Sequence, residues 1–397
     1  MQKYGVKIKN PPVFSEQIID KALDAPRCRY ASVNCHNELA GSGSLLYLLL
    51  VEKYRPGVVG ANGDTVMDKI MSHIRNLLLP GNEPSMHCGP YWGYPVTSAA
   101  IALAKTIPSV WGQLTADQIE RFDEIMRNFA IVCSWGTNDC NDFWTGPEMK
   151  GNYKKGWNPN HRSPAVLPIL FASIYFGSAD YVNEVLTSFD FDEQIKTFDR
   201  LGFTSAKESI MAAGKKLMEE GGECFLEGGE PAGKGAGVKH PYVYRGIPLA
   251  DKEALFNEIL LQNTAGGPVV DCVGDKESGK CGYLMKGTSP VLGLDGMMSE
   301  FTTHDAKGIR SDITYCASNF CILVPAMAAM VALGEWDPDA EKNAVASEKT
   351  AISIIDFLYK IENGYFSYSH ANGRPTGEKN THGVYPFAKD LWKGMLS

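Results

Sequence analysis

The feature that most constrains this chain is a long succession of segments with apolar residues at three-and-four spacing, broken by short connections and with no strand recurring between them. That spacing gives each segment one apolar face when it is wound as a helix. Helices are predicted near 15–25, 42–54, 64–78, 95–106, 115–133, 162–176, 179–188, 204–220, 251–262, 314–333 and 345–361. Thr115 with Gln118, and Ser205 with Glu208, form capping-box patterns. Pro80-Gly81, Trp111-Gly112 and Gly177-Ser178 are short punctuations, so consecutive helices are expected as antiparallel hairpins. No heptad persists, which excludes a long coiled coil, and the lack of strand–helix alternation disfavours a doubly wound sheet or an eight-stranded barrel. The expected fold is all-α: an (α/α) toroid or barrel of antiparallel hairpins, forming one catalytic domain over 1–397 with helix ends lining a central funnel. Minor strand content is expected between 222 and 305 and near 363–387, where Gly, Tyr and Val alternate. The run Gly221 to Gly237 reads as a loop over the funnel, not a linker.

A share of 44% hydrophobic and 21% charged residues over 397 positions supplies ample core. The formal net charge of −8 argues against general affinity for nucleic acids or acidic membranes. An anionic ligand then needs a locally basic cleft, for which Lys154, Lys155, His161 and Arg162, with Lys234, Lys239, His240 and Arg245, are candidates. Residues 1–25 hold no basic stretch followed by an apolar one, and the early apolar run Leu45 to Val51 is too short to span a bilayer. A soluble protein without a membrane span is expected, periplasmic or secreted with its leader removed. The ten cysteines form no CxxC pair. Cys133, Cys316 and Cys321 read as small hydrophobes within helices, while Cys28 with Cys35 and Cys272 with Cys281 are candidate disulfides in an oxidising compartment.

Two runs have the composition of a site. Trp157-Asn158-Pro159-Asn160-His161-Arg162 crowds indole, amide, imidazole and guanidinium groups where a helix begins. Such a helix end favours anions through its free N–H groups and dipole, so a substrate carboxylate would be held twice. The second run follows Arg310 and sets Tyr315 and Asn319 four apart on one helix face. A phenol near a helix N-terminus and a guanidinium has its phenolate favoured, which suits proton transfer. The bland alternatives are a capping or packing role for His161 and one structural hydrogen bond for Tyr315. Tyr91, Trp92 and Tyr94, set among Gly89, Pro90 and Gly93, suit a sugar-stacking platform. Trp135 to Trp144, with Asn138 among its polar groups, lies past the apolar periodicity at the end of the helix that starts after Thr115 and is expected beside the funnel mouth; the bland alternative is a structural loop closed by Asn and Asp side chains. There is no HExxH, P-loop, GxGxxG after a strand or GxSxG. The acid pairs Asp190 with Asp192 and Asp271 with Asp275 match no known calcium loop, and neither a metal nor a cofactor is expected.

With the helical array, the Asn-His-Arg run and the Arg310…Tyr315 run, the chain resembles the α/α-toroid polysaccharide lyases, most of all the alginate and glucuronan lyases of polysaccharide lyase family 38. The resemblance implies β-elimination on a uronate polymer such as polymannuronate or glucuronan. It implies Tyr315 as acid and base, Arg310 lowering its pKa or gripping the carboxylate, and Asn158, Asn160, His161 and Arg162 neutralising that carboxylate. Lys155, Asn138, Trp144, His240 and Asn319 would complete the substrate contacts, with His240 and His304 as spare bases. Two rivals stand beside this reading. A glycoside hydrolase would need paired carboxylates, for which Asp139, Asp142 and Glu148 are available. A helical carbohydrate-binding protein would use the same aromatic platforms without turnover.

Overall fold

Helices dominate the molecule: α1 (Glu16–Leu23), α2 (Cys35–Tyr54), α3 (Val66–Leu77), α4 (Tyr94–Lys105), α5 (Pro108–Trp111), α6 (Ala116–Met149), α7 (Pro159–Phe176), α8 (Ala179–Thr187), α9 (Phe191–Leu201), α10 (Lys252–Gln262), α11 (Ile313–Leu333), α12 (Ala344–Glu362) and α13 (Tyr385–Met395). The structure, a computed structural model, describes residues 8, 11–28, 35–79, 93–149, 159–188, 191–201, 241–244, 246–262, 273–275, 280–282, 302–305, 308–311, 313–362 and 385–396. Over 35–40, 135–149, 159–163, 313–319 and 359–362, at 132, 191, 192, 194, 198, 201, 262 and 356, and in the strands from 273 onward, the description is of the backbone. The strands form short antiparallel pairs: β1 (Val243–Tyr244) with β2 (Ile247–Pro248), β3 (Val273–Asp275) with β4 (Lys280–Gly282), and β5 (Thr302–Asp305) with β6 (Gly308–Ser311).

Four helices have long uncharged stretches and are buried on every side there: α2 over Leu45–Val51, α4 over Tyr94–Ala104, α7 over 164–173 and α11 over 320–332. A helix without a polar face has nowhere stable to sit except among other helices. Accordingly α4 packs on α2, α7 and α11, and α11 also touches α2 and α7. Amphipathic helices flank them: α1 and α3 lie on α2, α6 and α8 on α7, α10 on α7, and α12 on α10. The alanines of α4 let its neighbours approach closely, and Phe129, Phe171, Phe256 and Trp392 fill the spaces between helices in one shared core.

Side-chain contacts fix the helix directions. Ser42 and Thr97 meet at 2.8 Å near the starts of α2 and α4, and Lys53 reaches Thr106 Oγ1 at 3.4 Å where both end, so these two run parallel. Lys105, last in α4, donates to the carbonyl of Tyr175 near the end of α7 at 2.8 Å, which makes α7 parallel as well. Lys252 at the start of α10 bonds Glu335, just past the end of α11, at 2.9 Å. The hairpin leading into α10 hangs from Asn183 of α8, itself just beyond the end of α7, so α11 ends on the side where α7 ends. The flanking helices run the other way. Ser44 reaches the Ala22 carbonyl while Arg55 pairs with Glu16, reversing α1 against α2. Tyr175 donates to Asp123 at 2.7 Å, and Tyr94 packs on Phe129 with ring centroids 4.2 Å apart, reversing α6 against α7 and α4.

The helices expected from periodicity are present, except that 204–220 lies outside the described residues. The strand pairs between 243 and 311 fall in or next to the stretch expected to hold them. Three expectations need correcting. The helix that starts after Thr115 does not end near 133: α6 continues through Trp135 and Trp144 to Met149. The end of the 363–387 stretch is not strand, because Tyr385 opens α13. Pro386 is compatible there with a first helical turn, and Phe387, Ala388, Leu391, Trp392 and Met395 are buried with helical spacing. Finally, α9 forms where no helix is expected, although Phe191, Ile195, Phe198 and Leu201 recur at helical spacing.

Candidate functional site

Asn160, His161 and Arg162 form the first turn of α7, behind Pro159, whose missing N–H costs nothing at that position. Tyr315 lies in the first turn of α11 and Asn319 one turn further on. Arg310 sits in β6 opposite Thr303, in the hairpin that feeds α11, and His304 lies opposite Ile309 in the same hairpin. Because α7 and α11 run parallel and pack together, these two groups of backbone positions belong to the same end of the molecule.

The long α6 reaches that end from the opposite direction. From the Tyr175–Asp123 contact, counting equal rise in opposite senses along two antiparallel helices puts the first turn of α7 roughly level with residues 136–139 of α6. Asn138 therefore sits beside the start of α7, and Trp144, with the alternative carboxylates Asp139, Asp142 and Glu148, lies level with it or beyond. Asn158, Lys155, His240, Tyr91 and Trp92 lie outside the described residues.

Tyr94 does not belong to an exposed platform. It is 1% exposed, its ring packs on Phe129, and burial drives its phenol well above the usual tyrosine range. The glycine- and proline-rich approach suggests a surface aromatic, but Tyr94 already occupies the first position of α4, which is enclosed on all sides.

The helices that start at the two ends differ in their first turns. Flanking helices that start at the far end carry an acid in their first turn: Glu16 in α1, Asp68 in α3, Asp117 in α6 and Asp180 in α8. Each offsets the positive pole of its own helix. No acid occupies the first turn of α4, α7 or α11. Their N-terminal poles carry no first-turn acid of their own and point the same way, toward the end that holds the candidate residues and to which α6 brings Asp139, Asp142 and Glu148.

Sequence reasoning passed over a buried polar knot between α1, α2, α3 and α4. The Cys28 N–H donates to His73 Nδ1 at 3.0 Å, leaving Nε2 to carry the ring proton toward Ser44 Oγ at 3.3 Å. Ser44 in turn donates to the Ala22 carbonyl at 2.7 Å, and the Cys28 thiol lies 3.2 Å from Ser42, which bonds Thr97. Cys28 thus carries a thiol, and the Cys28–Cys35 disulfide is not formed. Cys133 and Cys321 are buried thiols pushed up by desolvation, in keeping with a packing role. Cys316 has only its backbone described, and Cys272 lies outside the described residues.

No known family profile matches the chain, and no solved structure matches it. Over 368 residues, however, the chain is 31% identical to a much longer protein, in an alignment that takes in 90% of this chain and 14% of the other. That relative is a gellan lyase from Bacillus sp.. The chain thus spans a minor part of the relative's length, and nearly all of the chain is aligned. Among the described residues no helix is long and apolar enough to cross a membrane.

Proposed function

We propose that this chain is a polysaccharide lyase that cleaves a uronate-containing polymer by β-elimination. The observation that carries this reading is the 31% identity to a gellan lyase along 90% of the chain. Elimination from a sugar chain needs a hydrogen made acidic by a neighbouring carboxyl group, and C5 of a uronate carries one. A polysaccharide lyase therefore implies a uronate in its substrate. Polymannuronate, glucuronan and gellan are the polymers to test, and membership of polysaccharide lyase family 38 is the finer form of the proposal.

In this reading the first turn of α7 receives the uronate carboxylate, with Asn158, Asn160, His161 and Arg162 donating hydrogen bonds or charge to it. Neutralising the carboxylate stabilises the enolate-like state that forms when the C5 proton leaves. Tyr315, as phenolate, takes that proton. The C4–O4 bond then breaks, O4 receives a proton from the same phenol, and a double bond joins C4 to C5. One residue can do both jobs when the C5 hydrogen and O4 share a ring face, as in mannuronate and glucuronate. Arg310 favours the phenolate by charge. With a pKa above about 12, its own guanidinium is a poor base. The parallel α2, α4, α7 and α11 with their reversed flanking helices would form part of the inner and outer rings of an α/α toroid.

Incubation with each polymer under ultraviolet detection tests the reading. Unsaturated ends that absorb are expected. New reducing ends without absorbance would replace the lyase by a hydrolase using the α6 carboxylates, and binding without either product would leave a carbohydrate-binding protein. Tyr315→Phe is expected to lower kcat by about 1,000-fold or more while leaving substrate affinity within about twofold.

A further inference from the structure

The His73 knot has a property that a purely apolar corner would lack. Both ring nitrogens are committed: Nδ1 accepts from the Cys28 N–H, and Nε2 faces Ser44, whose own proton goes to the Ala22 carbonyl. The segment holding Cys28 packs backbone to backbone on α2: a Cβ at Gly41 would sit 2.7 Å from the Cys28 Cα. Asn76, one turn beyond His73, grips the Cys28 carbonyl at 2.5 Å, and Lys69, one turn before it, donates to the Ala25 carbonyl at 2.7 Å. The charges acting on the imidazole are Lys69 of α3 and Arg27 of the segment, both cationic; α1, α2 and α4 contribute the Ala22 carbonyl and the hydroxyls of Ser44, Ser42 and Thr97.

We propose that His73 is an acid-released latch: protonating its ring sets an N–H against the Cys28 N–H and frees residues 25–28 and α3 from α2. The latch is closed with the neutral ring, because that form alone can accept at Nδ1 while donating at Nε2. Desolvation, reinforced by the two cations, holds the folded imidazole down to about 3 against 6.5 when exposed. The sign follows from linkage. Above pH 6.5 neither the closed nor the open form binds the proton, and the latch is at full strength. As pH falls toward 3, only the open form binds the proton, so opening grows by about tenfold per pH unit. No catalytic role is needed for this, and it holds whatever the substrate.

Hydrogen exchange read by mass spectrometry at several pH values, corrected for the intrinsic exchange rate, tests the latch on the whole chain. Peptides covering 20–28 and 66–79 are expected to lose protection by on the order of 50- to 100-fold between pH 7 and 4.5, while peptides of α4 keep theirs. His73→Asn, which retains an acceptor near Nδ1 and does not titrate, is expected to abolish the pH dependence; His73→Gln serves the same purpose if the asparagine variant does not fold. Constant protection of the wild-type corner down to pH 4.5, an equal loss in α4, or an unchanged acid response in the variant would each overturn the proposal.

Discussion

Single atoms decide several close contacts. A Cβ on Gly394 would lie 2.0 Å from the carbonyl oxygen of Val13, a contact that backbone on both sides keeps from relaxing. Gly394 also accepts from the Val13 N–H, and Asp390, one turn earlier, accepts from the Ser15 N–H and from Tyr47 at 2.5 Å. Gly394→Ala is therefore expected to destabilise the fold by about 2–4 kcal/mol, measured by urea unfolding. An unchanged midpoint would mean that residues 11–15 do not pack on α13. Tyr94→Ala, which empties a fully enclosed site against Phe129, is expected to cost about 3–5 kcal/mol. At this scale the sequence displays chemistry without showing exposure. The neighbours of Tyr94 in the chain suggest a surface ring, whereas its environment is set by helices distant in sequence. His73 drew no attention for the same reason: its partners Cys28 and Ser44 lie 45 and 29 residues away.

Among the elements, helices such as α3 and α8 were legible from apolar residues at a helical period and from their caps, whereas α9 was passed over although Phe191, Ile195, Phe198 and Leu201 keep that period. Thr65 accepts from the Asp68 N–H, and Ser178 from the Tyr181 N–H, closing the first turns of α3 and α8. The Thr115–Gln118 capping box forms in both directions, at 3.0 and 3.3 Å. Thr65→Ala should lower stability by about 1 kcal/mol without changing the slope of a urea titration. A larger loss would show that α3 depends on its cap more than on its buried face. What the period did not reveal was the far half of α6, where the polar run from Asn138 to Asp142 masks any stripe. Backbone hydrogen bonding carries that helix past the end of its apolar pattern, and a periodicity argument stops where the stripe stops.

For the whole molecule, the consequential arrangement is the shared direction of α2, α4, α7 and α11. It gathers the first turns of α7 and α11 at one end and leaves helix poles there without acidic first-turn residues on α4, α7 and α11. Those poles can favour an anionic group there, against the carboxylates Asp139, Asp142 and Glu148 that α6 brings to the same end. If that end takes a polyuronate, KM should rise severalfold as ionic strength goes from about 0.05 to 0.5 M with kcat nearly constant, because screening over a Debye length of a few ångströms weakens attraction before contact. A salt-independent KM would remove the helix poles from the account of binding. The amino-acid order alone determined that the protein is mostly helical and where most of its helices lie, because those properties follow from local period. Only the tertiary structure decided that residues 160–162 and 315 share an end, that Tyr94 is core, and that His73 is locked between distant segments. Such relations depend on helix direction and on contacts between residues far apart in the chain, which no local pattern encodes.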